Sequence, residues 1–217
     1  MFPMIKVKSF TFNPFQENTY VLYDESKSCI IIDPGCYEEF EKSELIDFIN
    51  AESLKVEKLI NTHCHIDHVL GNKFIKDTFG VQLYIHKNDE ATLRAVETYA
   101  PNYGFPHFES TVADQYLEEG IALTFGDSSI DIIYVPGHAP GHIALISNDD
   151  KFCIGGDVLF RGSIGRTDLS GGDLDTLIKS IHEKMFSLPN DTKVYCGHGP
   201  TTTIGEEKVS NPFCAIA

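Results

Sequence analysis

The segment NTHCHIDH, residues 61–68, sets His63, His65, Asp67 and His68 within six consecutive positions. The whole chain holds nine histidines in 217 residues, so this density points to a metal, for which imidazole and carboxylate are good ligands. Three further candidates follow: His138 in VPGH, Asp157 in IGGD and His198 in YCGHGP, each beside glycine at the end of an apolar run. A stiff strand aims such a ligand, and a small neighbour lets cation and substrate approach. Five imidazoles and two carboxylates are too many for one tetrahedral zinc. They suit two divalent cations, each with several protein ligands, and an open position for a hydroxide.

These residues need rigid elements behind them. Alternating or continuous apolar runs predict strands in IKVKSFTF, NTYVLYD and SCIIIDPG, then VEKLINT, which delivers the first histidine cluster. A helix is expected over 38–50, with Phe40, Leu45 and Phe48 on its apolar face. A second is expected over 68–80, stopped by Gly80, and a third over 88–100, capped by Asn88 or Asp89. Residues 100–112, rich in Pro, Gly, Tyr and Phe, read as a surface loop in which Tyr99, Tyr103, Phe105 and Phe108 form a lid or pin the loop to the core. Strands return in IALTF, SIDIIYVPGH, HIALISN and KFCIGGDVLF. A helix capped by Asp173 carries Leu174, Leu177, Ile178, Ile181 and Met185, and a last strand, TKVYCGHGP, ends in His198. Strands followed by strand–helix units, in two successive rounds, predict two stacked sheets flanked by helices.

The sequence resembles the metallo-β-lactamase superfamily, and within it the short bacterial glyoxalase II-like (hydroxyacylglutathione hydrolase-like) hydrolases. The likeness is carried by H-x-H-x-D-H at 63–68, Pro136-Gly137-His138, Gly156-Asp157 and Gly197-His198-Gly199-Pro200. It extends to LFRGSIGRTDLSGGD (159–173) and SNPF (210–213), and so covers nearly the whole chain from Asp33-Pro34-Gly35 onward. The resemblance implies an α/β fold of the αββα sandwich type, one domain over 1–217, with two mixed β-sheets packed face to face and helices on the outer faces. It also implies that His63, His65 and His138 hold one cation, that Asp67, His68 and His198 hold a second, and that Asp157 bridges them. Zinc is the expected metal, with iron or manganese as options. The implied chemistry is hydrolysis of a small thioester such as S-lactoylglutathione by a metal-bridging hydroxide. Asp67 and Asp157 are the catalytic carboxylates, and the thiolate leaving group needs little protonation. The pattern departs from classical glyoxalase II in one respect: no added helical region with glutathione contacts follows NPF.

The remaining residues are read individually. Asp33 is either an acidic residue beside the metal ligands or a turn aspartate bonding its own backbone. His142 is expected to support the ligands from behind. Cys64 alternates away from His63 and His65 and is expected in packing. Arg166 is expected to pair with Asp168, which leaves Arg161 as the candidate for a substrate carboxylate.

Lys plus Arg number 17 against 32 Asp plus Glu, a net charge of −15, which argues against nucleic acid or anionic membrane as partner. With no signal-peptide pattern, no apolar run of membrane-span length, and six cysteines without paired spacing, a cytoplasmic location is expected. The competing readings are a mononuclear iron persulfide dioxygenase using His63, His138 and Asp157, and a lactonase on the same fold. A non-catalytic metal-binding or docking protein is the plainer alternative. The oligomeric state is not legible.

Overall fold

In the computed structural model, which describes residues 4–216, the chain opens with β1 (Lys6–Phe12), β2 (Glu17–Tyr23) and β3 (Ser28–Ile32). β1 and β2 pair antiparallel from Lys6 opposite Tyr23 to Phe12 opposite Glu17. β3 is buried along its length, as expected of a strand with neighbours on both sides. It pairs antiparallel with β2 and, after α1 (Glu39–Ala51), parallel with β4 (Lys55–Ile60).

The buried face of α1 is Glu41, Leu45 and Ile49, whereas Phe40 is exposed. Of the expected Phe40–Leu45–Phe48 face, Leu45 is buried and Phe48 packs against the core, and only Phe40 is corrected. The Glu41 carboxylate turns inward because it accepts hydrogen bonds from the backbone N–H groups of Asn13, Tyr37 and Glu38 at 2.6, 2.8 and 3.0 Å.

After β4 come α2 (Ile66–Val69) and α3 (Asn72–Phe79). They replace the single helix expected over 68–80, although Gly80 does end α3 in a left-handed conformation. The break falls at Gly71, whose N–H donates to Pro34 O at 2.7 Å. A Cβ there would lie 2.6 Å from Cys36 Sγ, so only glycine fits where the chain passes the 34–36 turn. β5 (Leu83–His86), a 3₁₀ turn at Lys87–Asp89, α4 (Glu90–Tyr99), a second 3₁₀ turn at Ala100–Tyr103 and β6 (Gln115–Leu117) complete a mixed sheet in the order β1-β2-β3-β4-β5-β6.

β7 (Leu123–Phe125), β8 (Ser128–Tyr134), β9 (Ile143–Ser147) and β10 (Phe152–Gly156) follow. The strand expected over 151–160 is divided. β10 ends at Gly156 after its register slips against its neighbour, and β11 (Leu159–Phe160) then pairs with β12 (Ser163–Ile164) as a separate hairpin. α5 (Leu174–Glu183) buries Leu177 and Ile181 and leaves Leu174 exposed. Its start is capped as expected, Thr176 N–H donating to Asp173 Oδ1 at 2.7 Å. β13 (Lys193–Cys196), β14 (Thr202–Thr203) and α6 (Ile204–Ser210) close the chain. The second sheet runs β14-β13-β10-β9-β8-β7, with β10 and β13 parallel.

Packing divides the chain into two units, residues 1–117 with 124–128, and residues 118–123 with 129–217. The core of the first includes Val21, Ile31, Leu45, Leu59, Val69 and Ile75. That of the second includes Val135, Leu177, Ile181, Met185 and Val194. The class is α/β with two mixed sheets, as the sequence predicts. Among the described residues no helix is long and apolar enough to cross a membrane.

Candidate metal centre

In the first unit β4 ends at Ile60 and hands the chain to a segment whose backbone is held by side chains from elsewhere in the unit. Cys64 N–H donates to Asp89 Oδ2 at 2.5 Å. Asp67 O accepts from Asn13 Nδ2 at 3.0 Å, and His68 O accepts from Asn61 Nδ2 at 3.0 Å. Asn61 is itself locked by a mutual amide pair with Asn72. Asp89 stands at the N-cap position of α4, as the sequence suggested, but its side chain makes no cap hydrogen bond there. Its carboxylate is fully buried and holds the ligand loop instead.

His63, His65 and His68 are buried, their rings 4.8 Å (His63–His65) and 4.1 Å (His63–His68) apart. Thr62 N–H and Oγ1 donate to the two Asp33 oxygens at 2.7 and 2.6 Å. Thr62 Oγ1, having donated, accepts from His63 Nδ1 at 3.2 Å. His68 Nδ1 faces Asp33 Oδ2 at 3.3 Å. Both rings thus commit Nδ1 to second partners and present Nε2 as the ligand nitrogen, the arrangement that orients metal-bound imidazoles. Of its two readings, Asp33 shows the first: it binds Thr62 and His68, not its own turn. The ligand atoms of Asp33, His63 and His68 lie within 4.8 Å of one another.

The second unit carries its own cluster. His138, just beyond β8, donates from Nδ1 to Arg166 O at 2.7 Å, which again leaves Nε2 as the ligand nitrogen. Asp157 Oδ2 stands 3.5 Å from His138 Nε2 and 3.5 Å from His198 Nε2. In the first unit His68 Nε2 is 3.6 Å from Asp67 Oδ2. These separations are long for hydrogen bonds, but two ligands at about 2.0–2.2 Å from one tetrahedral cation stand roughly 3.4 Å apart. The donor atoms therefore fit divalent cations. His142 Nε2 accepts from Asp157 N–H at 3.0 Å, so His142 supports Asp157 through its backbone.

Other side chains sort cleanly. Cys64 is fully buried, and burial pushes its thiol well above the ordinary value, consistent with packing; all six cysteines are buried thiols. Arg166 pairs with both oxygens of Asp168 at 2.7 Å. Arg161 lies at the turn of the β11–β12 hairpin, 3.6 Å from Glu206, and its neighbour Phe160 stands edge-on to His198 with centroids 6.2 Å apart. Of the four proposed lid aromatics, Phe105 is core, Tyr99 and Phe108 pack against that core, and Tyr103 is exposed.

Sequence reasoning missed Asn13, Asn61 and Glu17. Only Asn61, next to the motif, carried a local signal. Glu17 is fully buried, and burial drives its carboxyl well above the usual carboxylate range.

The profile of the metallo-β-lactamase superfamily matches residues 12–198, and the chain belongs to that superfamily. Among its relatives is a hydroxyacylglutathione hydrolase, GloC, of Haemophilus influenzae. The two are 39% identical, over 92% of this chain and 93% of the relative. Two solved structures are also similar. The BLEG-1 B3 metallo-β-lactamase has a TM-score of 0.87 at 37% identity, covering 96% of this chain and 99% of its own. TTHA1623 in a di-iron-bound form has a TM-score of 0.83 at 35% identity, covering 95% and 100%.

Proposed function

We propose that the protein is a dinuclear metal-dependent hydrolase of small thioesters. In this reading His63, His65 and His138 hold one cation, and Asp67, His68 and His198 the other. The observation that carries it is Asp157 Oδ2, equidistant at 3.5 Å from His138 Nε2 and His198 Nε2. A carboxylate so placed suits a bridge between two cations, and a site for a single iron has no use for His198. The similarity to a hydroxyacylglutathione hydrolase supports the thioester. The di-iron relative leaves both zinc and iron in view.

When bound, such cations acidify water and polarise a carbonyl oxygen. The chain's own residues supply the rest. Thr62 and Asp33 fix His63 and His68, Arg166 O fixes His138, and His142 fixes the Asp157 backbone. Asp67 and Asp157 would accept hydrogen bonds from the attacking water, leaving its oxygen lone pair for the scissile carbonyl carbon. Arg161, exposed beside Phe160, is the residue proposed to meet a substrate carboxylate.

The test is hydrolysis of S-D-lactoylglutathione by protein loaded with zinc or with iron, with His138→Ala as control. Turnover that vanishes in the variant supports the reading. Protein carrying two cations yet inert on this and other thioesters would sink it. A single bound iron with sulfur-oxidising activity would favour the dioxygenase, and lactone opening alone the lactonase.

A further inference from the structure

Glu17, the first residue of β2, is fully buried. Its Oε2 accepts from Thr19 Oγ1 at 2.9 Å, and that hydroxyl accepts from Gly35 N–H at 2.9 Å. The carboxylate is thereby fixed from one side. Its Oε1 has no hydrogen-bond partner among the described residues and points toward His68 Nδ1 at 3.8 Å. The charged groups acting on it are His68, Asp33 and Asp67, two of them carboxylates. A carboxylate removed from water with so few donors is costly unless positive charge lies close by. In this cluster the route for such charge is the His68 ring, whose Nε2 faces Asp67 at 3.6 Å. Asp33 Oδ2, which accepts from Thr62 Oγ1, faces the same His68 Nδ1 at 3.3 Å.

We propose that Glu17 is a positioning residue for the second cation: with Asp33 it seats the His68 Nδ1–H between two buried carboxylates. The ring is then held with Nε2 outward, with Asp33 as the hydrogen-bond acceptor at Nδ1 and Glu17 as a second carboxylate beside it. Glu17 does not touch the cation or the substrate. It sets how tightly the Asp67–His68–His198 set retains its metal. The inference rests on the dinuclear reading above.

The test uses the full chain stripped with chelator and titrated calorimetrically with zinc, and in parallel with cobalt(II) to follow the visible spectrum of each site. Wild type is expected to take up two equivalents. Glu17→Gln, nearly isosteric, is expected to keep the first affinity within about twofold and to weaken the second about 10–100-fold, with a changed cobalt spectrum at that site alone. Glu17→Asp, which keeps the charge, is expected to recover part of the loss, and it carries the test should Glu17→Gln fail to fold. Unfolding of the metal-stripped variants in urea supplies the structural control. Unchanged affinities in the variants would overturn the proposal. So would equal weakening of both sites together with a less stable stripped protein, which would make Glu17 a packing residue. Fewer than two equivalents in wild type would overturn the dinuclear reading, and this inference with it.

Discussion

Asp89 shows what a single side chain contributes at a distance. It lies 25 positions from Cys64 in sequence, yet its carboxylate holds the one backbone N–H between His63 and His65. Removing a buried acceptor leaves that N–H unsatisfied, at a cost of about 1–3 kcal/mol. Asp89→Ala should lower unfolding free energy by that amount in urea titrations. It should also weaken metal binding about 10–100-fold, as loss of a supporting residue does. Asp89→Asn, which keeps an acceptor oxygen, should lose less of both. Unchanged metal affinity in Asp89→Ala would show that the loop holds its shape through Asn13, Asp33 and Asn61 without it. The candidate ligands could be picked out because four of them, at 63–68, are closely spaced and the other three, His138, Asp157 and His198, each sit beside glycine at the end of an apolar run. Asp89, Asn13 and Glu17 could not, because each acts across a long gap in sequence: Asn13 reaches Asp67 over 54 positions. A carboxylate facing inward also looks, in sequence, like any other polar residue at a turn.

Between elements, most strands and helices followed from periodicity, and the misses have physical causes. On α1 Leu45 and Phe48 face the core as expected, but Phe40 is exposed and Glu41 is buried by the backbone donors it accepts, which hydrophobic patterning does not encode. β6, β14 and α6 are too short or too polar to announce themselves, and residues at the 68–80 break obey a steric demand from the 34–36 turn. The turn from β2 to β3 offers a test at this scale. Asp24 accepts from Ser26 N–H at 2.9 Å and from Ser26 Oγ, and from Asp127 N–H and Ser128 Oγ at 2.9 and 2.7 Å. It thereby ties that turn to the start of β8. Burial pushes its carboxyl up, but these donors outweigh it and hold the group below its ordinary value of 3.8. A carboxyl depressed in the folded state stabilises fully above its unfolded value. That contribution is lost as pH falls through the folded one. Wild type should therefore exceed Asp24→Asn by about 1.5–3 kcal/mol near neutrality, and the gap should close as pH falls below the ordinary carboxyl value of 3.8. A gap independent of pH would assign the effect to shape instead of charge.

At the scale of the molecule, the order of motifs along the chain and the strands that precede them made the α/β class and the superfamily legible. Composition added a charge of −15. Such an excess destabilises a folded chain by self-repulsion. Here part of it is concentrated indoors, with Glu17, Asp33 and Asp157 all buried. Divalent cations that bind the native state alone should then contribute strongly to stability. At a free concentration one hundred times Kd, a single such site adds about 2.7 kcal/mol, and for a chain of this size each kcal/mol moves Tm by roughly 2–4 °C. Chelation should lower Tm by about 5–10 °C per site occupied at that level. Added salt separates the two sources of the loss. It screens exposed charges over a Debye length of about 8–10 Å but reaches buried ones poorly. Salt should therefore raise the Tm of the stripped protein only part of the way back, and zinc or iron should restore the remainder. Full recovery in salt alone would reduce the cations to general charge relief, and a Tm indifferent to chelator would mean that the fold's stability does not depend on bound metal.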